Sequence, residues 1–224
     1  MTDTLAPRGT ALLIIDMQND FCASEGVFAR SGVDVSPAGR ILPAVRALLA
    51  GARAAGVPVI FLVSEYSSPD NRYLSAVFLA QARRRWNGRY VTLPVCQRGT
   101  WGIDFFADLR PRSDEIVVWK HRFDGFVDTD LETVLRSRQV RRLVVAGVTT
   151  EVCVESTVRH AFFRDYACVV PHDAVAAYDE EMHERSLRLM DRFFAQVVDA
   201  GQVLAAWGAA GARRSGRAAS SPVT

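Results

Sequence analysis

The stretch Arg142 to Arg164, RLVVAGVTTEVCVESTVRHAFFR, decides the fold class. It opens as an unbroken apolar, β-branched run, RLVVA (Arg142 to Ala146), breaks at Gly147, and resumes at Thr150, the N-cap of a helix reaching about Arg164. An apolar strand without polar alternation is buried on both faces, and a helix directly after it is the crossover that returns the chain for a parallel partner.

The same unit recurs on both sides. Ala11 to Ile15 (ALLII) is a strand, and Ser36-Pro37 opens a helix carrying Ile41, Val45, Leu48 and Leu49 that Gly56 stops. Val57 to Val63 (VPVIFLV) is a second strand, followed by a helix over Asn71 to Arg85. Glu115 to Trp119 (EIVVW) is a third, with a helix over Asp128 to Arg138 opened by Asp128 or Thr129. Beyond the opening stretch, Ala167 to Val170 is a strand, Asp179 to Phe194 a helix, and Val197-Val198 a last short strand. This pattern predicts one α/β domain over residues 10–207, a three-layer α/β/α arrangement on a parallel sheet of about six strands. Residues 1–9 and 211–224 read as mobile tails.

Composition narrows the function. The chain has 224 residues, 49% hydrophobic and 23% charged, a globular balance. With 27 basic against 25 acidic residues, it has no basic field for a nucleic acid. No apolar run approaches the ~20 residues of a membrane span, and the start has no leader pattern, so a cytoplasmic protein without a membrane partner is expected. The four cysteines, Cys22, Cys96, Cys153 and Cys168, form no CxxC pair and read as reduced thiols. Lys120 is the only lysine, against 26 arginines, which suggests a place where a compact ammonium is required.

In parallel α/β sheets ligands bind outside the carboxyl ends of the strands. Asp16 follows the first strand, Lys120 follows EIVVW, and Cys153 lies just beyond RLVVA. Cys153 falls in the first turn of its helix, where the dipole favours a thiolate; the other reading is a buried, inert thiol. Asp16, directly after a buried strand, needs a cation unless it serves as a turn cap, and Lys120 is the candidate partner.

The segments LLIIDMQNDF (Leu12 to Phe21), KHRFDGF (Lys120 to Phe126) and AGVTTEVCVEST (Ala146 to Thr157) resemble, in order and spacing, the Asp, Lys and Cys segments of the isochorismatase-like cysteine hydrolases, whose fold is Rossmann-like. The resemblance implies Cys153 as nucleophile, Asp16 as base and Lys120 as the cation that orients Asp16. It also implies a cis peptide bond between Val148 and Thr149, with the N–H groups of Thr149 and Cys153 as an oxyanion hole. No cofactor is implied, and His121, His160, His172 and His183 are left without a role.

Isochorismatases proper, which cleave a vinyl ether, generally lack the cysteine, so Cys153 favours C–N hydrolysis through a thioester. Nicotinamidases add a metal-binding Asp-x-His pair after the second strand. Here that stretch runs Ser64-Glu65-Tyr66-Ser67-Ser68-Pro69-Asp70 without a histidine, so no metal is expected. The stretches from Lys120 and around Cys153 look most like the ureidoacrylate, biuret and streptothricin hydrolase branch, which implies a ureido or small amide substrate and a homo-oligomer, dimer or tetramer. By position Gln18, Phe21, Tyr66, Trp101, Phe123 and Phe126 are expected to wall the pocket, although Phe123 and Phe126 equally suit the core. Two further readings remain: a vinyl ether hydrolase, and a non-catalytic small-molecule binding module. A nucleotide or flavin site is disfavoured, because neither GxGxxG nor a Walker A pattern is present.

Overall fold

The computed structural model describes residues 5–68, 72–84 and 94–208. Strands β1 (Thr10–Ile15), β2 (Val59–Ser64), β3 (Ile116–Lys120), β4 (Arg142–Val148), β5 (Ala167–Pro171), β6 (Val175–Ala176) and β7 (Ala195–Val198) form one sheet. Its order is β3-β2-β1-β4-β5-β7, with β6 paired beside β4, and all the pairings are parallel. The helices are α1 (Asn19–Cys22), α2 (Val27–Arg30), α3 (Ser36–Ala55), α4 (Ala76–Arg84), α5 (Leu131–Ser137), α6 (Glu155–Phe162), α7 (Glu180–Phe193) and α8, residues 200–208.

Alternation along the central strand creates two cores. Leu12 and Ile14 of β1 point to the α3 side, among Val45, Leu48, Val203 and Trp207. Ala11, Leu13 and Ile15 point to the opposite side, among Leu131, Leu135, Val158 and Met190. All six β1 residues are buried, so the strand shows no polar alternation in the sequence. Each fully buried Leu or Ile contributes about 1.5–3 kcal/mol relative to exposure, which ties both helical layers to the same strand.

The strands differ from expectation by one or two residues at their ends, with β1 beginning at Thr10 and β7 at Ala195. β2 extends to Ser64, β3 ends on Lys120 rather than before it, and β4 continues to Val148. β6, the short helices α1 and α2, and α8 were not expected. Of the helix expected over Asn71 to Arg85, Ala76–Arg84 is helical, while Asn71 and Arg85 lie outside the described residues. α5 opens at Leu131 instead of Asp128 or Thr129, because the Thr129 hydroxyl donates to the Gly125 carbonyl at 2.6 Å and keeps the preceding turn closed.

Residues 5–9, expected as part of a mobile tail, are tied down. Leu5 packs on the core, the Pro7 carbonyl accepts the Thr10 N–H, and the Gly9 carbonyl accepts those of Arg141 and Arg142. Residues 1–4 and the 211–224 segment lie outside the described residues. Among the described residues no helix is long and apolar enough to cross a membrane.

Candidate active site

The chain runs outward from β1 to β2 and β3, then returns to place β4 on the other side of β1. The switch point therefore opens beside the carboxyl end of β1. Three strand ends meet there. Asp16 leaves β1 with φ 52°, a left-handed conformation that turns its carboxylate back over the sheet. Gly147 pairs with Ile15, and a Cβ on it would lie 2.0 Å from the Ile15 carbonyl oxygen, so only glycine lets β4 approach so closely. Its φ of 120° bends the chain into the cis Val148–Thr149 peptide bond, as the resemblance implies.

The nucleophile turn differs from expectation. Residues Thr150–Val154 form a π-helical turn before α6, with the Val154 N–H bonded to the Thr149 carbonyl at 3.1 Å. The N-cap position is Thr149, not Thr150, and no side chain caps it. The Thr150 hydroxyl is turned instead toward His183 Nδ1, 2.9 Å away. Thr157 pins the turn from below: its hydroxyl donates to the Cys153 carbonyl at 2.7 Å and accepts the Gly125 N–H at 3.0 Å.

Lys120 sits two strands from Asp16, and β2 fills the gap with Ser64, which is in register with Lys120. Lys120 Nζ donates to Asp16 Oδ2 and to Ser64 Oγ, each at 2.8 Å, and to the Arg122 carbonyl at 3.2 Å. Ser64 Oγ donates in turn to Asp16 Oδ1 at 2.8 Å, and Lys120 Nζ lies 3.7 Å from Cys153 Sγ. Asp16 and Lys120 are inaccessible and Cys153 is nearly so. Ser64 was not anticipated; its only sequence signal is that it closes the apolar run VIFLVS.

Burial alone would drive Lys120 toward the neutral amine, but the negative charge of Asp16 and the hydrogen bond to it reverse this and raise its pKa, keeping the ammonium. The expectation of a thiolate at Cys153 is corrected. Burial pushes the thiol pKa up, Lys120 pulls against it, and the charge of Asp16 and a hydrogen bond to it push up again. The resting thiol is therefore protonated and faces Asp16, the group able to take its proton. Burial also raises the Cys22, Cys96 and Cys168 thiols. Among these four, Cys153 is the one with an ammonium in hydrogen-bonding range.

A cavity of about 540 Å³ opens over Asp16, Thr149 and Cys153. Of the six residues expected to wall it, Phe21, Tyr66 and Phe123 do so, and Gln18, Trp101 and Phe126 do not. Gln18 is a buried clamp: its amide nitrogen donates to the carbonyls of Ser64 and Ile103, each at 2.9 Å, and its oxygen accepts the Ser64 N–H at 2.8 Å. Trp101 is half-exposed on a short 3₁₀ turn, where its carbonyl accepts from the Asn19 side chain. Phe126 lies under the site in the core, against His160 and Tyr166. The walls also include Phe28, Val148, Tyr178 and Met182.

Along the stretch compared with the nicotinamidase metal site, Glu65 is ion-paired with Arg98 at 2.6 Å, and Pro69 and Asp70 lie outside the described residues. Among the described residues no group of three or more His, Cys, Asp or Glu side chains is placed to hold a metal ion.

Comparison with known proteins finds the isochorismatase domain over residues 10–202. A ureidoacrylate amidohydrolase of Acinetobacter baylyi is 35% identical over 204 residues, covering 87% of this chain and 82% of that protein. Among solved structures, a cysteine hydrolase from Pseudomonas syringae pv. phaseolicola superposes with a TM-score of 0.80 at 29% identity, covering 92% of this chain and 96% of the other. An isochorismatase family protein from Desulfovibrio vulgaris gives 0.73 at 31% identity, over 87% and 95%.

Proposed function

Because the chain belongs to the isochorismatase family, we propose that the Asp16, Lys120 and Cys153 cluster hydrolyses a non-peptide C–N bond of a small ureide or amide through a cysteine thioester. The observation that carries this reading is a thiol and a carboxylate at the floor of a cavity, both within reach of one buried ammonium: 2.8 Å to Asp16 Oδ2 and 3.7 Å to Cys153 Sγ.

The chemistry follows from the protonation states. As Sγ attacks the substrate carbonyl carbon, Asp16 takes the thiol proton, and Lys120 holds Asp16 in place while balancing the negative charge passing between carboxylate and sulfur. The N–H groups of Thr149 and Cys153 receive the carbonyl oxygen as it becomes an oxyanion. Collapse breaks the C–N bond, and Asp16 returns its proton to the leaving nitrogen. A water then attacks the thioester, giving its proton to Asp16, and the thiol is regenerated. A cytoplasmic location fits the four free cysteines. Assembly into a homo-oligomer is supported by Phe162 and Phe193, exposed at the ends of α6 and α7, and by Phe163 on the turn after α6, with Phe162 and Phe163 packed against Phe194 just before the edge strand β7, and is measured by sedimentation velocity.

The test is Cys153→Ala, assayed by ammonia and amine release over a panel of ureides and primary amides. Turnover is expected to fall by at least ~10³-fold, as on removal of other catalytic nucleophiles, with the circular dichroism spectrum unchanged. Retention of more than a few per cent of activity would shift the reading to non-covalent, isochorismatase-type chemistry centred on Asp16.

A further inference from the structure

The nucleophile turn is held at its two ends by different parts of the chain. Its Cys153 end is pinned locally, by the Thr157 hydroxyl one turn along α6. Its Thr150 end is held by α7, which packs on the turn. The Thr150 hydroxyl and His183 Nδ1, 33 residues apart in sequence, are hydrogen-bonded at 2.9 Å, and the Thr150 carbonyl accepts from the Ser186 hydroxyl at 3.3 Å.

His183 and Ser186 lie three positions apart and so share one face of α7. Ser186 also bonds Glu155, the first residue of α6, so its single proton serves two acceptors and the His183 bond is the firmer hold on Thr150. Thr150 is wholly buried, and without that partner its hydroxyl would pay the full cost of desolvation. Burial lowers the His183 pKa against the opposing charges of Glu180 and Glu184, which favours the neutral ring.

The end of the turn held in this way carries Thr149. Its carbonyl accepts the N–H groups of Val152 at 3.2 Å and Val154 at 3.1 Å, so the turn closes on this residue, whose own N–H is one of the two oxyanion donors of the proposed reaction. Such a donor works only when it points at the place the charged oxygen will occupy, and a misplacement of ~1 Å can cost ~10²-fold in rate.

We propose that His183 is a positioning residue: through Thr150 it fixes the Thr149 and Cys153 N–H groups as an oxyanion hole, while the protonation of the thiol is left to Asp16 and Lys120. The proposal rests on the amidohydrolase reading and adds to it a residue outside the cavity lining, for which the family resemblance supplies no role.

The experiment uses butyraldehyde, which needs no turnover. Cys153 Sγ bonds to the carbonyl carbon, the π pair of the C=O bond moves to the oxygen, and the thiol proton, carried by Asp16, ends on that oxygen, giving a hemithioacetal whose oxygen faces the Thr149 and Cys153 N–H groups. Occupancy is read as protection of Cys153 from iodoacetamide, followed by mass spectrometry. In His183→Leu the half-protecting aldehyde concentration is expected to rise ~10-fold, less than the ~10²–10³ for outright loss of an oxyanion donor. Thr150→Val should give the same rise, and the double variant no more than either change alone. His183→Asn, which sets an amide near the place of Nδ1, should restore most of the affinity. The pH at which iodoacetamide modifies Cys153 should stay where it is in all of them. Should His183→Leu not fold, Thr150→Val against Thr150→Ser carries the same comparison.

A residue that only docks α7 would move the thermal midpoint and leave protection per folded molecule unchanged. That result, a displaced alkylation pH, or no protection of the unaltered protein would overturn the proposal. With a cleaved ureide, kcat should fall ~10-fold in His183→Leu with KM little changed, as for an interaction made only in the transition state. Loss of aldehyde affinity in a protein that cleaves no ureide or amide supports the positioning role and counts against the amidohydrolase reading instead.

Discussion

Asp16 and Asp20 lie in the same segment after β1 and are almost equally hidden, 1% and 3% exposed, but they are satisfied by different kinds of partner. Asp20 accepts the backbone N–H groups of Val27 at 3.1 Å and Cys96 at 2.7 Å, and the missing side chain of Gly102 makes room for it, since a Cβ there would lie 2.2 Å from its carboxyl carbon. Amide protons do not transfer at neutral pH, so Asp20 can only hold loops together. Asp16 accepts from the Ser64 hydroxyl and the Lys120 ammonium and faces the Cys153 thiol. Each of these three groups around the Asp16 carboxylate carries a proton that can transfer. Burial of a carboxylate therefore says little about function, whereas the chemistry of the groups that satisfy it says a great deal.

The sharpest way to break this contrast is Asp16→Asn, expected to lower kcat by ~10³-fold, within the range for acid-base participation, with little change in thermal midpoint. Full activity in this variant would remove Asp16 from the reaction. Lys120→Arg comes next, with a loss of at least ~10²-fold in kcat, because a planar guanidinium cannot hold carboxylate, hydroxyl and thiol from the space of one ammonium. Asp20→Asn should do the opposite of both: it replaces one acceptor with a donor facing an N–H and costs about 2 kcal/mol of stability. Chemical denaturation reads that loss, while activity per folded molecule is expected to stay within a few fold. Ser64→Ala leaves the ion pair intact but removes its bridge, for a loss of ~10-fold in kcat, corresponding to about 1.4 kcal/mol.

The smallest effect is a displacement along the pH axis. Iodoacetamide alkylation of resting Cys153 should rise only above the ordinary thiol range, since burial and Asp16 raise its pKa. Removing the anion in Asp16→Asn should move the rise to lower pH, and removing the cation in Lys120→Ala should move it higher. Displacements in the opposite directions would mean that the thiol does not sense these two charges.

β1 and β4 were legible because strands buried on both faces leave unbroken apolar runs, and Asp16, Lys120 and Cys153 were legible because each follows such a run and because their three segments resemble those of one hydrolase family. Ser64 was not, since a serine closing a strand is ordinary and its importance depends on a lysine 56 residues away in sequence. Gln18 looked like a pocket residue, but its amide is used to clamp backbone groups from two other segments. Phe123 and Phe126 have nearly the same local sequence setting, and only the path of the loop after β3 sends one to the cavity and the other to the core. Tyr178 and Met182 reach the mouth through the docking of α7 against the π-helical turn, a tertiary event with no local signature. The thiol's protonation escaped for the same reason: a helix start is local, but the burial that outweighs it is assembled from distant strands.

The single lysine of this chain gives the proposed reactive centre a private spectroscopic channel. Feeding nitrogen-15 lysine to the expression culture would place the isotope in one side chain, and that side chain is wholly enclosed beside the carboxylate and the thiol. Enclosure and hydrogen bonding are expected to slow exchange of its ammonium protons enough for magnetic resonance, so ligand entry and acylation of the sulfur should each register as movement of one resonance in otherwise unaltered protein.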